Sequence, residues 1–404
     1  SKGRMAADPL LEHRAEFPIL ETTTYFAAHT LGPVSRASLE ALAGYGRAWA
    51  TRGVRAWADG WWALPERVGD AVGALLHAPP GTVSATAHAT EAMAVVLSGL
   101  DFPAARPRLV TTDLEFPSVL YQAQAWARHG AEVVVVPSDG LRPPLEALLE
   151  AIDERTRLVS ICHVYFRSAA LLDVGRVVRR AHEAGALVCL DAYQSLGAVP
   201  LDVRALGVDF VIGGSVKWVL GGPGVGYVYA RPGLLEGLEP SLRGWSGHAD
   251  PFGFETGWRP AAGARRLATG TPNVPALAAA LPGYALVAKA GVEAIREKSL
   301  RQTARLMELA DAAGFAVVNP RPASERGGTV VLDVAPLAGP GRGHAVAAAL
   351  NARDFVLDYR VGAGVRLAPH FYTRDDELEA VVEAAVEVIE TQADAPYRER
   401  GRVT

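Results

Sequence analysis

One unbroken stretch, residues 186–231, constrains this chain most: ALVCLDAYQSLGAVPLDVRALGVDFVIGGSVKWVLGGPGVGYVYAR. An apolar run ends at Asp191, a second run at 208–212 leads to Lys217, and a glycine-rich loop at 221–226 feeds a third run. Short apolar runs bounded by turn residues read as strands buried on both faces. An acid and an amine therefore stand at the ends of neighbouring strands, where the loops of an open α/β sheet build sites.

The flanking pattern supports a three-layer α/β domain. Short β-branched runs at 109–111, 132–136, 158–161, 186–190, 210–212 and 226–229 alternate with amphipathic stretches at 118–129, 144–152 and 174–184. Such alternation predicts a mostly parallel sheet with helical crossovers. After residue 275 the texture changes. A long helical pattern at 275–313 precedes strand patterns at 315–318, 329–333, 355–358 and 365–367, with helices at 344–352 and 375–391. These predict a smaller C-terminal α+β domain. The expected division is 51–274 for the large domain and 275–404 for the small one, with 5–50 packing beside the latter. Residues 1–4 precede Met5 and read as an expression remnant.

Composition narrows the partners. A net charge of −4 offers no basic field for nucleic acid, and half the residues are hydrophobic, enough for a sizeable core. No apolar stretch is long enough to span a membrane, and no leader-like segment opens the chain. Cys162 and Cys189 lie in strand-like segments with no disulfide pattern. The expectation is a soluble, cytoplasmic protein acting on small molecules. The GGPGVG run enters a strand rather than opening a helix, so it is not a dinucleotide fingerprint. No Walker A or HExxH sequence occurs, and the ten histidines are scattered, so no metal site is expected.

Lysine and carboxylate at this separation are what pyridoxal 5'-phosphate (PLP) chemistry requires. A lysine forms the Schiff base, and a carboxylate keeps the pyridine nitrogen protonated so that the ring accepts electrons. Lys217 and Asp191 are the residues expected in those roles. Lys217 must also shed its proton, which burial beside another cation favours.

The stretch resembles the class V aminotransferase superfamily, which includes cysteine desulfurases and kynureninases. Asp191, Gln194, Ser195, Gly197, Ser215, Lys217, Gly222, Pro223, Gly224 and Gly226 match its pattern in order. Resemblance to kynureninase extends further, through YFAAHTLGP at 25–33, the 49–72 segment, EFPSVLY at 115–121, GWSGH at 244–248, TGTP at 269–272 and VRLAP at 365–369. It implies the aspartate-aminotransferase-like fold (fold type I) and a homodimer with a shared active site. It implies that Phe116 stacks on the cofactor ring, Gln194 bonds its O3', and Thr90, Ser215 and Trp245 hold the phosphate. Thr271 would reach that phosphate from the partner subunit. Arg366 would take the substrate carboxylate through a planar two-point contact, with His29 and Trp57 lining the substrate side.

Taken one at a time, these residues keep plainer readings. Phe116 could be core, Thr90 an N-cap, Trp245 packing and Arg366 a strand surface residue; the cluster Trp57, Trp61 and Trp62 reads equally as pocket or structural lid. The chain also departs from the kynureninase pattern. Val216 stands where that family has Tyr, Gln194 where it has His, and His29 where it has Asn. Gln194 instead matches desulfurases and epimerases, although neither cysteine sits where a mobile nucleophile would. Hydrolytic Cβ–Cγ cleavage of a kynurenine-like amino acid is the leading expectation. Elimination at a C–S bond comes second, with transamination or epimerisation as further alternatives.

Overall fold

The computed structural model describes residues 8–399. The reading of residues 1–4, and the outer ends of the 5–50 and 275–404 divisions, fall outside it. A two-residue strand β1 (Thr24–Tyr25) precedes β2 (Val83–Thr86), β3 (Arg108–Thr112), β4 (Glu132–Val136), β5 (Thr156–Cys162), β6 (Leu187–Asp191), β7 (Phe210–Gly214) and β8 (Gly226–Ala230). After them come β9 (Ala316–Val317), β10 (Val330–Asp333), β11 (Phe355–Val356), β12 (Asp358–Arg360) and β13 (Gly364–Leu367).

Strands β2 to β8 form one sheet in the order β2-β8-β7-β6-β5-β3-β4. Every neighbouring pair is parallel except those of β8, which runs antiparallel to β2 and β7. The reason is local. The glycine-rich return after Lys217 is too short to hold a crossover helix, so the chain comes back antiparallel. The expected α/β plan thus forms, with β6 and β7 at its centre. β2 was not among the expected strands, because its sequence VSAT is short and half polar. Strands β7 and β8 are buried along their whole length, and each fully buried Val, Leu or Ile contributes about 1.5–3 kcal/mol.

The long helical pattern resolves into two helices, Val274–Ala290 and Val292–Ala313, bent by 76°. Gly291, with φ +82°, supplies the backbone conformation that breaks the run. No single helix among the described residues is long and apolar enough to cross a membrane. The second sheet is antiparallel, in the order β12-β13-β10-β9. The single strand expected at 355–358 divides in two. β11 pairs with β1, while β12 joins the second sheet. Asn351 holds the intervening Leu357 through bonds to both its N–H and its carbonyl.

The N-terminal segment bridges the two sheets. Gly32 N–H donates to the Val216 carbonyl over 2.7 Å, and Ala368 N–H donates to the Phe26 carbonyl over 2.8 Å. A side chain at position 32 would meet the Lys217 carbonyl oxygen at 2.3 Å, so only glycine allows this approach. By this route residues from both chain ends reach the lysine turn.

Candidate active site

Lys217 lies just beyond β7, and Asp191 is the last residue of β6, so both stand at carboxyl ends of parallel strands. Burial pushes the Asp191 carboxyl up. The bond it accepts from Tyr193 N–H (2.8 Å) and the charge of Lys217 oppose that rise. Burial pushes the Lys217 amine down to about 8; Asp191 pulls the other way, and Arg366 and Arg360 add to the depression. The Lys217 Nζ sits 4.3 Å from the centre of the Tyr193 ring and 5.8 Å from that of Phe116. Phe116 is 43% exposed and packs edge-on against Phe166, so it is a pocket wall rather than core.

Gln194 is braced on both sides of its amide. Its Oε1 accepts from Trp218 Nε1 over 2.9 Å, and its Nε2 donates to the His29 carbonyl over 3.1 Å. This leaves one amide N–H unspent. Trp218, next to Lys217, is fixed in turn by His370 Nε2, which bonds the Trp218 carbonyl at 2.9 Å.

The second sheet contributes a buried ion cluster. Asp358 on β12 faces Arg366 on β13 in register. Arg366 Nε donates to Asp358 Oδ1 over 2.7 Å, its Nη2 donates to Asp358 Oδ2 and to Thr30 Oγ1, and its Nη1 donates to the Phe166 carbonyl over 2.7 Å. His29 Nε2 lies 2.9 Å from Asp358 Oδ1. Burial raises the Asp358 carboxyl, but His29 and Arg366 more than offset this and hold it well below the carboxylate range. Burial and the Arg366 charge push His29 down to about 4. His29 is therefore neutral, with its proton on Nε2 facing the carboxylate and a bare, buried Nδ1 that has no partner among the described residues. The two-point contact expected from Arg366 is not open in this arrangement, because Asp358 already fills that fork.

At the start of helix Ala89–Ser98, the N-cap is His88, whose Nδ1 accepts from Glu91 N–H. Thr90 is the second helical residue, and its hydroxyl makes no hydrogen bond among the described residues. A Cβ at Gly226 would meet the His88 carbonyl carbon at 2.4 Å, so the HATEA turn lies directly against β8. The Ser215 hydroxyl is fully buried against that of Tyr284.

Three expected residues make no hydrogen bond or ring contact with Lys217 among the described residues. Trp245 spends its indole N–H on the Pro251 carbonyl and packs edge-on against Trp62 and Phe252. Trp57 stacks on Trp62, ring centres 4.2 Å apart. Trp62, Trp245 and Thr271 line a cavity of about 590 Å³ that also reaches Ala87 and Glu91, which flank Thr90 in the chain, and Gly224 of the glycine-rich loop.

Glu115 went unnoticed in the sequence. It is 2% exposed; its Oε1 accepts from Thr112 Oγ1 over 2.9 Å, and its buried Oε2 has no hydrogen-bond partner among the described residues. Burial pushes it up to about 8, and the charge of Asp191 adds to the rise. The signal was an acid standing where the kynureninase pattern has Asn. A folded-state pKa raised from the usual 4.5 means that the folded protein keeps a proton the unfolded chain releases. Stability is thus full below about pH 4.5 and falls as pH rises towards 8. Glu115→Gln should flatten the fall in melting temperature over that window. A slope matching the parent's would show that Glu115 carries no such proton.

This sheet order, with a lysine after β7 facing an acid at the end of β6, defines an enzyme of the fold type I class. The family described as Aminotransferase class-V matches residues 33–386, and the chain belongs to that family. Among its relatives, kynureninase from Pseudomonas fluorescens is 31% identical over 99% of this chain and 97% of that one. Kynureninase from Geobacillus thermodenitrificans is 30% identical over 95% and 92%. Among solved structures, apo cysteine desulfurase from Thermococcus onnurineus NA1 superposes with a TM-score of 0.83 at 22% identity, covering 96% of this chain and 99% of that one. The cystine C–S lyase C-DES, in complex with its product cysteine persulfide, gives 0.82 at 23%, covering 92% and 99%. At such identities the structural likeness speaks for the fold alone.

Proposed function

We propose that this protein is a PLP-dependent hydrolase that cleaves the Cβ–Cγ bond of a kynurenine-like L-amino acid. The observation that carries the reading is one site in which Lys217, Asp191 and the Arg366 cluster act on one another electrostatically, in a chain aligned end to end with kynureninases.

The residues fit the cofactor. Asp191 is a buried carboxyl lacking a full counter-charge, which a pyridinium nitrogen supplies. Lys217 is an amine with a depressed pKa, suited to a Schiff base. Phe116 offers an exposed ring face beside it, the spare N–H of Gln194 suits the ring hydroxyl, and the free Thr90 hydroxyl at a helix N-terminus suits a phosphate. PLP, when bound, supplies the electron sink for chemistry at Cα. Lys217 then serves as the base that removes and returns the Cα proton, because a neutral fraction of it exists near neutral pH. Arg366 and His29 border the substrate, and buried Trp218 and Gln194 keep water from the lysine turn.

The same reading includes a homodimer in which Thr271 reaches the partner's phosphate, with Trp245 on the phosphate and Trp57 on the substrate side. Support for a dimer is exposed aromatic surface, where Trp49 is 63% and Phe254 75% exposed. It also includes a cytoplasmic location and the division 5–50, 51–274 and 275–404.

Elimination of a C–S bond is the second reading, favoured by Val216 and Gln194. Persulfide transfer has less support, since burial pushes both cysteine thiols up. PLP-loaded protein incubated with L-kynurenine, 3-hydroxykynurenine and S-substituted cysteines separates the readings by product mass. Anthranilate or its hydroxy analogue plus alanine is the expected result. Pyruvate and ammonia from a cysteine conjugate, with kynurenines untouched, would make the protein a C–S lyase.

A further inference from the structure

We infer that Arg360 is a second anion-binding guanidinium of this site, and that the substrate's α-carboxylate is held jointly by Arg366 and Arg360. The inference rests on the amino-acid-substrate reading above.

Register is the first argument. Asp358 and Arg360 are alternate residues of β12, so their side chains leave the same face. Arg366 pairs with Asp358 across the ladder and shares that face. The residue opposite Arg360 is Gly364, at φ +143°, where an added Cβ would meet the Leu332 carbonyl oxygen at 2.3 Å. Position 364 therefore presents no side chain opposite the Arg360 stem.

Hydrogen-bond capacity is the second argument. A guanidinium has five N–H groups. Arg366 commits Nε to Asp358, Nη2 to Asp358 and Thr30, and one N–H of Nη1 to the Phe166 carbonyl, so a single N–H remains. One N–H cannot hold both oxygens of a carboxylate. Asp358 is equally committed, with Oδ1 bonded by His29 and Arg366 and Oδ2 by Thr30 and Arg366. Arg360 lies 3.5 Å from Asp358 Oδ2, an ion pair beyond good hydrogen-bond reach, and its buried Nε has no partner among the described residues. A partly buried guanidinium is thus left unbonded beside one that has a single N–H to offer.

Charge is the third argument. Asp358 is the one carboxylate that Arg366 and Arg360 share among the described residues, both through its Oδ2. One added carboxylate balances the pair of guanidinium groups. Bridged between Arg366 Nη1 and Arg360, it would sit beside the lysine, which is where an α-amino acid must place it.

The test uses PLP-loaded enzyme and its Arg360→Gln and Arg360→Lys variants, with ligand binding followed by cofactor absorbance. L-Kynurenine and S-benzyl-L-cysteine are each compared with the amine that lacks the carboxylate. The parent should prefer at least one amino acid over its amine. Arg360→Gln should lower that preference about 10- to 100-fold, the range expected for a charge-assisted bond, and leave amine affinity unchanged. Arg360→Lys should recover part of it. The pH midpoint of the cofactor band in Arg360→Gln should also move up, since a cation near Lys217 is gone. A variant that keeps the full preference, or an unmoved midpoint, would overturn the role of Arg360 and leave the amino-acid reading intact. A parent that shows no preference for the carboxylate would overturn both.

Discussion

Lys217→Ala should lower turnover by about 10³-fold or more and abolish covalent retention of the cofactor. The effect is large because the proposed function puts two roles on one amine, anchoring the cofactor and moving the Cα proton. With its pKa at about 8, the unprotonated fraction near pH 8 is on the order of a hundredfold above that of an ordinary lysine. That gain comes from burial and from the Arg366 and Arg360 charges, so no lysine on the protein surface can replace it. Borohydride reduction followed by whole-protein mass measurement checks the assignment. The parent should gain the mass of the reduced cofactor and the variant should not. An adduct of equal yield on the variant would place the Schiff base elsewhere.

Asp358→Ala should destabilise the protein by about 3–5 kcal/mol, the cost of leaving buried charge without its partner. Asp358 is 4% exposed and accepts bonds from His29, Thr30 and Arg366, all of which lose their acceptor together. His29 lies 329 positions from Asp358 along the chain, so the loss also loosens the N-terminal segment from the second sheet. Asp358→Asn, which keeps the shape and one acceptor oxygen, should cost less. Urea unfolding of both variants gives the comparison. A midpoint for Asp358→Ala equal to the parent's would mean that the cluster is not a buried, charged one.

Residues 186–231 were legible because strand, acid, strand, amine and glycine loop follow one another along the chain. Period-2 and apolar-run patterns act over a few residues, and here the acid and the amine sit at the ends of such runs. The amino-acid sequence by itself therefore determined the α/β class, the mostly parallel sheet, and the placing of Asp191 and Lys217 at the carboxyl ends of neighbouring strands. Family resemblance added His29 and Arg366, which no local pattern connects. Only the tertiary structure decided that Asp358 fills the fork of Arg366, that Arg360 lies beside it unbonded, and that Glu115 faces Asp191 while buried. It also decided that Trp57 and Trp245 both pack on Trp62. The physical reason is the same in each case. A buried charge is defined by its neighbours in space, and these neighbours come from chain segments that only the packing of two sheets and an N-terminal strap brings together.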